Sequence, residues 1–286
     1  MLPARPEDSN KATFGHVLNI AGSVNFRGAA YLSTVSALRV GAGYAILAAI
    51  PPVIDAVSAQ LPEAVYLPLP QEGSAISPKS FPLLASQIKP GTVCALGCGI
   101  SALGCDLKIF NSFLHDFISL LIAKKIPLVL DADGLNWLAQ SGENFHFDGN
   151  CVMTPHPMEL ARLLKTDVES IQKNREHFAQ KASEKFHAIV LLKGHRTIIA
   201  DGKNLHINET GNSALAKAGT GDCLTGMIAG FLAQKMSPFD AAVLGAKIHG
   251  LAGEFAAKEF SEYGVLASDL PKYAAKILRE SELGNF

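Results

Sequence analysis

Short, fully apolar runs alternate with longer stretches of helical periodicity along most of this chain, and several runs end directly in glycine or aspartate. A strand that is apolar at every position must be covered on both faces, and helices between parallel strands supply that cover. The alternation therefore predicts an α/β fold with a mostly parallel central sheet and helices on both faces. Because the sequence has no internal repeat and no linker, residues 1–286 are expected to form a single domain.

Hydrophobic periodicity assigns the individual elements. The predicted strands are HVLNIAGS (16–23), YAILAAI (44–50), AVYLPLP (64–70), TVCALGCG (92–99), IPLVLDADG (126–134), the start of CVMTPHPMEL (151–160) and AIVLLKG (188–194). The predicted helices are 28–41, 51–59, 107–125, one long polar helix at 167–186, and three segments near 221–235, 238–260 and 267–282. RTIIADGKNLHIN (196–208) is predicted as a hairpin that turns at Asp201-Gly202.

Charge and composition exclude several classes of protein. The 25 Lys+Arg residues balance 26 Asp+Glu, so the net charge of -1 gives no electrostatic reason to expect nucleic acid or an anionic membrane as a partner. No apolar stretch reaches the roughly 18 residues of a membrane span. The N-terminal sequence MLPARPEDSNKATFG lacks the apolar region of a signal peptide.

The five cysteines do not indicate a disulfide framework, because their number is odd and the chain is long. Cys94, Cys98 and Cys105 lie close in sequence, but they form no CxxC pair and no nearby histidine completes a zinc site. Packing of small residues is the better interpretation. A reducing compartment, most simply the cytoplasm, is expected.

Polar or small residues follow the predicted strands, where ligands bind in such sheets. Glycines follow the strand at 92–99, and they indicate either a tight turn or close approach to a ligand. Asp131, Asp133 and Asn136 follow the next strand and could bind magnesium through water or cap a helix. We expect a mixed role, in which Asp131 either is structural or supports the ligand contacts from behind.

Two further strand ends carry candidate ligand contacts. His156 lies between two prolines that restrict its backbone, and Thr154 is expected to cap the following helix. Lys193 directly follows a buried strand, so its ammonium group is expected to point into the crevice toward an anionic ligand. Residues 193–197 together carry two or three positive charges, which would equally suit a solvated hairpin tip.

The stretch AKAGTGDCLTGMIAGF (216–231) begins with glycines and continues as an apolar helix. Backbone amides of a glycine turn at a helix start attract phosphate. Asp222 is then either a favourable first-turn acid or a base that removes a proton from a hydroxyl about to attack phosphate. The pattern is neither a Walker A loop nor a Rossmann fingerprint.

Taken in order, these motifs resemble the ADP/ATP-dependent NAD(P)H-hydrate dehydratases of the ribokinase-like superfamily. The matching stretches are AGSVNFRGAAYLSTVSALRVGAGY (21–44), LGCGI (96–100), VLDADGLN (129–136), TPHPMEL (154–160), VLLKGHRT (190–197) and TGNSALAKAGTGDCLTGMIAG (210–230). The resemblance runs from about residue 14 to about residue 253.

The resemblance implies an activity and a set of ligands. The substrate would be the (S)-epimer of NADHX or NADPHX, the hydrated forms of NADH and NADPH. The nucleotide would phosphorylate the C6 hydroxyl, phosphate would leave, and ADP would become AMP. The resemblance also implies Mg²⁺, a homotetramer, and a functional link to a separate epimerase, since we expect no fused epimerase domain in this chain.

The resemblance further implies roles for individual residues. Asp222 would be the catalytic base. The hydrate would contact Ala29, Gly99, His156 and Asp222. The nucleotide would contact Lys193, Gly194, His195, Arg196, Thr197, Gly219, Thr220 and Gly221. The metal ligands are not assigned.

The sequence departs from the family pattern at two places. Cys98 stands where the family has proline, which is expected to loosen the turn that carries Gly99, and Ala218-Gly219 stands for the usual Gly-Gly. Two alternatives stay open: a ribokinase-like kinase of a vitamin precursor such as hydroxyethylthiazole, and a nucleotide-binding regulator without turnover.

Overall fold

The computed structural model describes residues 2–143 and 145–282, so residues 1, 144 and 283–286 of the predicted domain lie outside the description. Within those ranges the main sheet has nine strands in the order β11-β10-β9-β8-β7-β6-β1-β2-β3. The strands are β1 (His16–Ile20), β2 (Tyr44–Ala49), β3 (Val65–Pro68), β6 (Thr92–Leu96), β7 (Leu128–Leu130), β8 (Cys151–Met153), β9 (Ile189–Leu192), β10 (Ile198–Ala200) and β11 (Leu205–Ile207).

Eleven α-helices in the described residues connect and flank these strands. They are α1 (Arg27–Arg39), α2 (Pro51–Ser58), α3 (Phe81–Ser86), α4 (Leu107–Ala123), α5 (Asp133–Ser141), α6 (Pro157–Leu164), α7 (Val168–Lys173), α8 (Arg175–Phe186), α9 (Thr220–Ala233), α10 (Pro238–Gly264) and α11 (Leu270–Glu282). In the described residues, no helix is long and apolar enough to cross a membrane.

The predicted parallel sheet is confirmed for seven adjacent strands, in the order β9-β8-β7-β6-β1-β2-β3. Each pair of neighbours among them runs in the same direction. The predicted hairpin is also confirmed, because β10 pairs antiparallel with both β9 and β11. Its turn is held by Asp201, whose carboxylate accepts hydrogen bonds from the amides of Lys203 and Asn204.

Alternate residues of the buried strands supply two separate cores, which explains why most positions in these strands are apolar. Leu18 and Ile20 of β1 belong to the core beneath α2, α4, α6 and α8, whereas Val17 belongs to the core beneath α9, α10 and α11. The predicted helices on both faces are therefore confirmed.

The prediction of one helix over 167–186 is wrong. Asn174 has φ -145° and ψ 60°, outside the helical region, and divides the segment into α7 and α8. The division changes the chain's direction, so that α8 packs against β9 and β10. The hydrophobic pattern also did not predict a small hairpin formed by β4 (Gln71–Glu72) and β5 (Ala75–Ile76), whose strands have two residues each.

Candidate active site

The carboxyl ends of four adjacent parallel strands, β6 to β9, bring distant segments of the chain together. Gly97 follows β6, Asp131 follows β7, and Lys193 follows β9. Helix α9 begins against the same edge, because the hydroxyl of Thr225 donates to Asp131 Oδ2 at 2.9 Å. The sheet therefore assembles the segments that the sequence singled out as candidate ligand contacts.

Asp131 and Lys193 form an ion pair at the centre of this edge. Lys193 Nζ lies 2.7 Å from Asp131 Oδ1, and only 2% of the Asp131 side chain is exposed. Burial alone would raise the pKa of Asp131, but Lys193 and hydrogen bonds to the carboxylate hold it below its ordinary value. Asp131 is thus structural, as expected, and Lys193 does not offer an uncompensated positive charge to a ligand.

His156 begins α6, and its ring has a defined orientation. Nδ1 accepts hydrogen bonds from the amides of Met158 and Glu159, while Glu159 Oε2 accepts from the His156 amide at 2.7 Å. A neutral imidazole whose Nδ1 is an acceptor carries its proton on Nε2, and Nε2 lies 3.4 Å from Glu159 Oε1. Burial, followed by the charge of Lys193, lowers the pKa of His156 and favours this neutral form.

The expectation that Thr154 caps α6 is wrong, because His156 occupies that position. Thr154 is fully buried, and its hydroxyl donates back to the carbonyl of Leu130 at 3.5 Å. The ring nitrogen of His156 reaches the first-turn amides instead, which a sequence pattern of common capping residues does not reveal.

Asp222 lies in the first turn of α9, which starts directly after Gly219. Burial, followed by repulsion from Asp131, raises the pKa of Asp222 to about 6. The thiol of Cys98 donates to Asp131 Oδ2 at 3.8 Å, and its sulfur lies within 4.8 Å of the Asp222 carboxylate. A carboxylate with this pKa is ionised at neutral pH and is basic enough to accept a proton.

Ala29 and Gly99 meet at the start of α1. A Cβ atom on Gly99 would lie 3.1 Å from Ala29 Cβ and 2.6 Å from Phe26 Cβ, so the two backbones approach as only glycine permits. The Cys98 carbonyl accepts a hydrogen bond from the Gly22 amide at 2.8 Å, which anchors this turn to the end of β1. This backbone hydrogen bond holds the turn at Cys98, the position where the sequence departs from the family's proline.

A cavity of about 560 Å³ opens beside Asp222, within the size range of small-molecule sites. Seven of the predicted nucleotide contacts line it: Lys193, Gly194, His195, Arg196, Thr197, Thr220 and Gly221. Gly219 is outside the lining and packs against Leu32 and Ala267. The hydroxyl of Thr220 donates to backbone carbonyls within its own turn, so it shapes the cavity wall.

Sequence reasoning missed His249, which also lines this cavity. Its Nε2 is 2.9 Å from the carbonyl oxygen of Thr220, and burial lowers its pKa to about 4. The ring is therefore neutral and donates a hydrogen bond that holds the start of α9. Nothing in the sequence marks it, because a single histidine inside a long helix most often serves packing.

A second cavity, of about 440 Å³, is lined by a separate set of residues. Ile100 and Ser101, which directly follow Gly99, line it together with Asp133 and Arg162. The Arg162 guanidinium donates to Asn136 Oδ1 at 2.7 Å. The charge of Asp133, another lining residue, contributes to the raised pKa of Asp222, after burial and Asp131.

The site's metal-binding capacity depends on one group of side chains. Among the described residues, the donor atoms of Cys98, Asp131 and Asp222 all lie within 4.8 Å of one another. Both Asp131 oxygens already bind protein groups, Lys193 and Thr225, and Mg²⁺ prefers six oxygen ligands to a thiol. These residues therefore do not fit a Mg²⁺ ion held by the protein alone.

Comparison with known proteins identifies a family for this chain. The family model described as NAD(P)H-hydrate dehydratase matches residues 17–276. A bifunctional NAD(P)H-hydrate repair enzyme from Moorella thermoacetica is 37% identical over 98% of this chain and 52% of its own length. The ADP-dependent (S)-NAD(P)H-hydrate dehydratase of Bacillus subtilis is 31% identical over 98% of this chain and 95% of its own length.

Solved structures point to the same family. A crystal structure of ADP/ATP-dependent NAD(P)H-hydrate dehydratase from Bacillus subtilis, co-crystallised with ATP/Mg²⁺, matches with a TM-score of 0.81 and 28% identity over 98% of this chain and 94% of that chain. The fold also matches solved ribokinase-like proteins, which confirms the predicted fold class. The chain spans about half the length of the bifunctional relatives that it matches. By sequence and by structure, this chain belongs to the NAD(P)H-hydrate dehydratase family.

Proposed function

We propose that the protein restores NADH and NADPH from the (S)-epimers of their hydrates in a nucleotide-dependent dehydration. The nucleotide phosphorylates the C6 hydroxyl of the hydrated ring, and loss of that phosphate re-forms the 5,6 double bond. With ADP as the donor, the products are AMP, phosphate and the reduced dinucleotide. Family membership favours this reaction over a vitamin-precursor kinase, which would keep its phosphorylated product.

The position of Asp222 is the observation that carries this proposal. Its carboxylate lies in the first turn of α9, next to a glycine turn whose amides can hold phosphate, and its pKa is raised to about 6. A base with these properties can take the proton of a hydroxyl as that oxygen attacks the phosphoryl group. A regulator that only binds nucleotide has no use for a base at this point.

The two cavities divide the ligands between them in this proposal. The nucleotide occupies the cavity lined by residues 193–197, where Lys193 keeps N–H donors beyond the one given to Asp131. The hydrated ring lies between Ala29, Gly99 and His156, with its hydroxyl toward Asp222. The rest of the dinucleotide extends into the second cavity, where the Arg162 guanidinium is suited to a phosphate.

Mg²⁺ enters this proposal bound to the nucleotide phosphates, because the acidic side chains do not form a complete site for it. Its function there is to offset negative charge on the phosphate chain. Cooperation with a hydrate epimerase, assembly as a tetramer and a cytoplasmic location belong to the same proposal and rest on the family resemblance and on the cysteine content.

The deciding experiment follows the return of reduced-nicotinamide absorbance from NADH hydrate and from NADPH hydrate, each with ADP, with ATP and without nucleotide. We expect recovery that requires a nucleotide. Hydroxyethylthiazole with ATP serves as the test of the kinase alternative. Phosphorylation of that alcohol without repair of either hydrate would overturn the proposal, and nucleotide binding without any turnover would favour the regulator.

Substitution of the base provides the matching mutational test. Asp222→Asn removes the proton acceptor and keeps the shape of the side chain, so the repair rate should fall by at least about 100-fold, within the range of general-base contributions. The dissociation constant for ADP, measured by calorimetry, should change little. Repair by this variant at a rate close to that of the unmodified protein would exclude Asp222 as the base.

A further inference from the structure

Arg175, outside the predicted nucleotide contacts, is bound to the backbone that carries them. The residue begins α8, directly after the break at Asn174. Its Nη2 donates to the carbonyls of Leu192 and Lys193, each at 3.2 Å, and its Nη1 donates to the carbonyl of His195. One guanidinium group therefore binds three carbonyl oxygens within a four-residue stretch of chain.

These contacts also fix the direction of the N–H groups that belong to the same peptides as the bound carbonyls. In a trans peptide the C=O and N–H bonds point in opposite directions, so the amides of Gly194 and Arg196 point away from the guanidinium. Within residues 2–143 and 145–282, no intramolecular hydrogen bond takes up the amides of Gly194, His195 or Arg196. The same residues line the 560 Å³ cavity.

The turn also has a backbone shape that needs external support. Gly194 has φ +142°, and a Cβ atom there would lie 2.9 Å from Arg175 Nη2, so the guanidinium packs directly on this glycine. Arg196 has φ +54°, a left-handed conformation that is costly for a residue with a side chain. Hydrogen bonds from a neighbouring element stabilise such a conformation against relaxation.

We propose that Arg175 is a positioning residue for nucleotide binding: by holding the carbonyls of Leu192, Lys193 and His195, it presents the amides of Gly194 and Arg196 to the phosphates of the nucleotide. The inference rests on the proposed function only in placing an adenine nucleotide in this cavity. Successive amides in such a turn form a concave anion site, and Arg175 supplies its support from the side that the ligand does not touch.

The test uses direct binding of ADP with Mg²⁺, measured by calorimetry on the full chain. Arg175→Lys keeps the positive charge but cannot reach three carbonyls with a planar fork, so the dissociation constant for ADP should rise about tenfold, as for one lost charge-assisted hydrogen bond. Amide hydrogen exchange of residues 194–197 should become faster in the same variant. The KM for the hydrate should stay unchanged.

The matched control is Lys185→Met on the same helix, whose ammonium group donates to the carbonyl of Leu163, outside the cavity lining. This variant should bind ADP like the unmodified protein. Arg175→Ala provides a second test, because added guanidinium ion should restore ADP affinity in Arg175→Ala and have no such effect in Lys185→Met.

The outcomes separate this inference from the proposed function. A lower melting temperature of Arg175→Lys with unchanged ADP affinity and unchanged exchange would overturn the inference and leave Arg175 a structural residue. ADP binding that weakens as expected, in a protein that repairs neither hydrate, would support Arg175 and reject the dehydratase. Absence of ADP and ATP binding by the unmodified protein would overturn both.

Discussion

With Asp222 as the proposed base, the activity should depend on pH in a predictable direction. Because burial and Asp131 raise its pKa to about 6, the base is protonated and inactive at lower pH and ionised at higher pH. We expect kcat/KM for the hydrate to decrease about tenfold per pH unit below about pH 6. Stopped assays across a pH series measure this acid limb of the pH profile of kcat/KM.

Glu159 supplies the control for that assignment, because burial raises its pKa to about 7 and it lies close to the same site. Glu159→Gln keeps an oxygen acceptor for the His156 amide and removes the second titrating acid. The acid limb should stay near pH 6 in this variant. A limb that disappears with Glu159→Gln would assign the titration to Glu159 instead of Asp222.

The ion pair between Lys193 and Asp131 has a consequence for stability. Lys193→Met leaves a fully buried carboxylate without its partner, so the free energy of unfolding should fall by about 3–5 kcal/mol. The double variant Asp131→Asn/Lys193→Met should regain most of that loss, because both charges are absent. Urea denaturation of the single and double variants measures the coupling, and losses that simply add would contradict a buried pair.

Individual side chains differ in how far the sequence revealed them. The structural role of Asp131 and the exposure of residues 193–197 to a cavity could be predicted. A residue that directly follows a buried parallel strand lies at the carboxyl edge of the sheet, where ligands bind. His249 and Arg175 could not be predicted in this way. Each acts on a backbone group that is distant in sequence, and only the folded structure shows which carbonyl a helical side chain reaches.

At the scale of elements, the close crossing of α1 and α9 fixes the position of the turn that carries Asp222. A Cβ atom on Gly226 of α9 would lie 2.1 Å from the carbonyl oxygen of Ser33 in α1. Gly226→Ala must therefore separate the two helices, with an expected loss of about 1–3 kcal/mol in stability, as for overpacked cores. The displacement of α9 should also lower kcat, because Asp222 lies one turn away on the same helix.

Gly28→Ala is the matched control for that substitution. Gly28 lies in α1, has no positive φ, and has open space where a Cβ atom would be. Alanine at this helical position should leave stability unchanged or raise it by up to about 1 kcal/mol. Melting temperatures and turnover of the two variants test the pair, and equal losses in both would argue against the crossing as the cause.

Elements were predictable where the hydrophobic pattern alone decides them. Continuous apolar runs gave β1, β2, β6, β7 and β9, since no partly exposed strand or surface helix would have that composition. The break at Asn174 was not predictable, because residues 167–186 suit a helix throughout and the contacts of Arg175 with the β9–β10 turn favour the division. Two-residue strands such as β4 and β5 are too short to show any periodicity.

For the whole molecule, the two cavities should respond separately to mutation. Arg162→Gln removes the guanidinium from the second cavity, so the KM for the hydrate should rise about tenfold, as for a lost hydrogen bond to phosphate. The dissociation constant for ADP should not change. Lys165→Gln, at the end of the same helix and outside that cavity, is the control; a loss of ADP affinity in Arg162→Gln would show that the cavities are not separate.

The two cavities also draw on different parts of the chain. Residues 193–221 and the middle of α10 line most of the first, whereas residues 100–162 line the second, and the two sets of lining residues do not overlap. Substitutions that accumulate in one segment need not disturb the other. Under the proposed function, one phosphoryl donor could therefore be exchanged for another while the hydrated substrate stays the same.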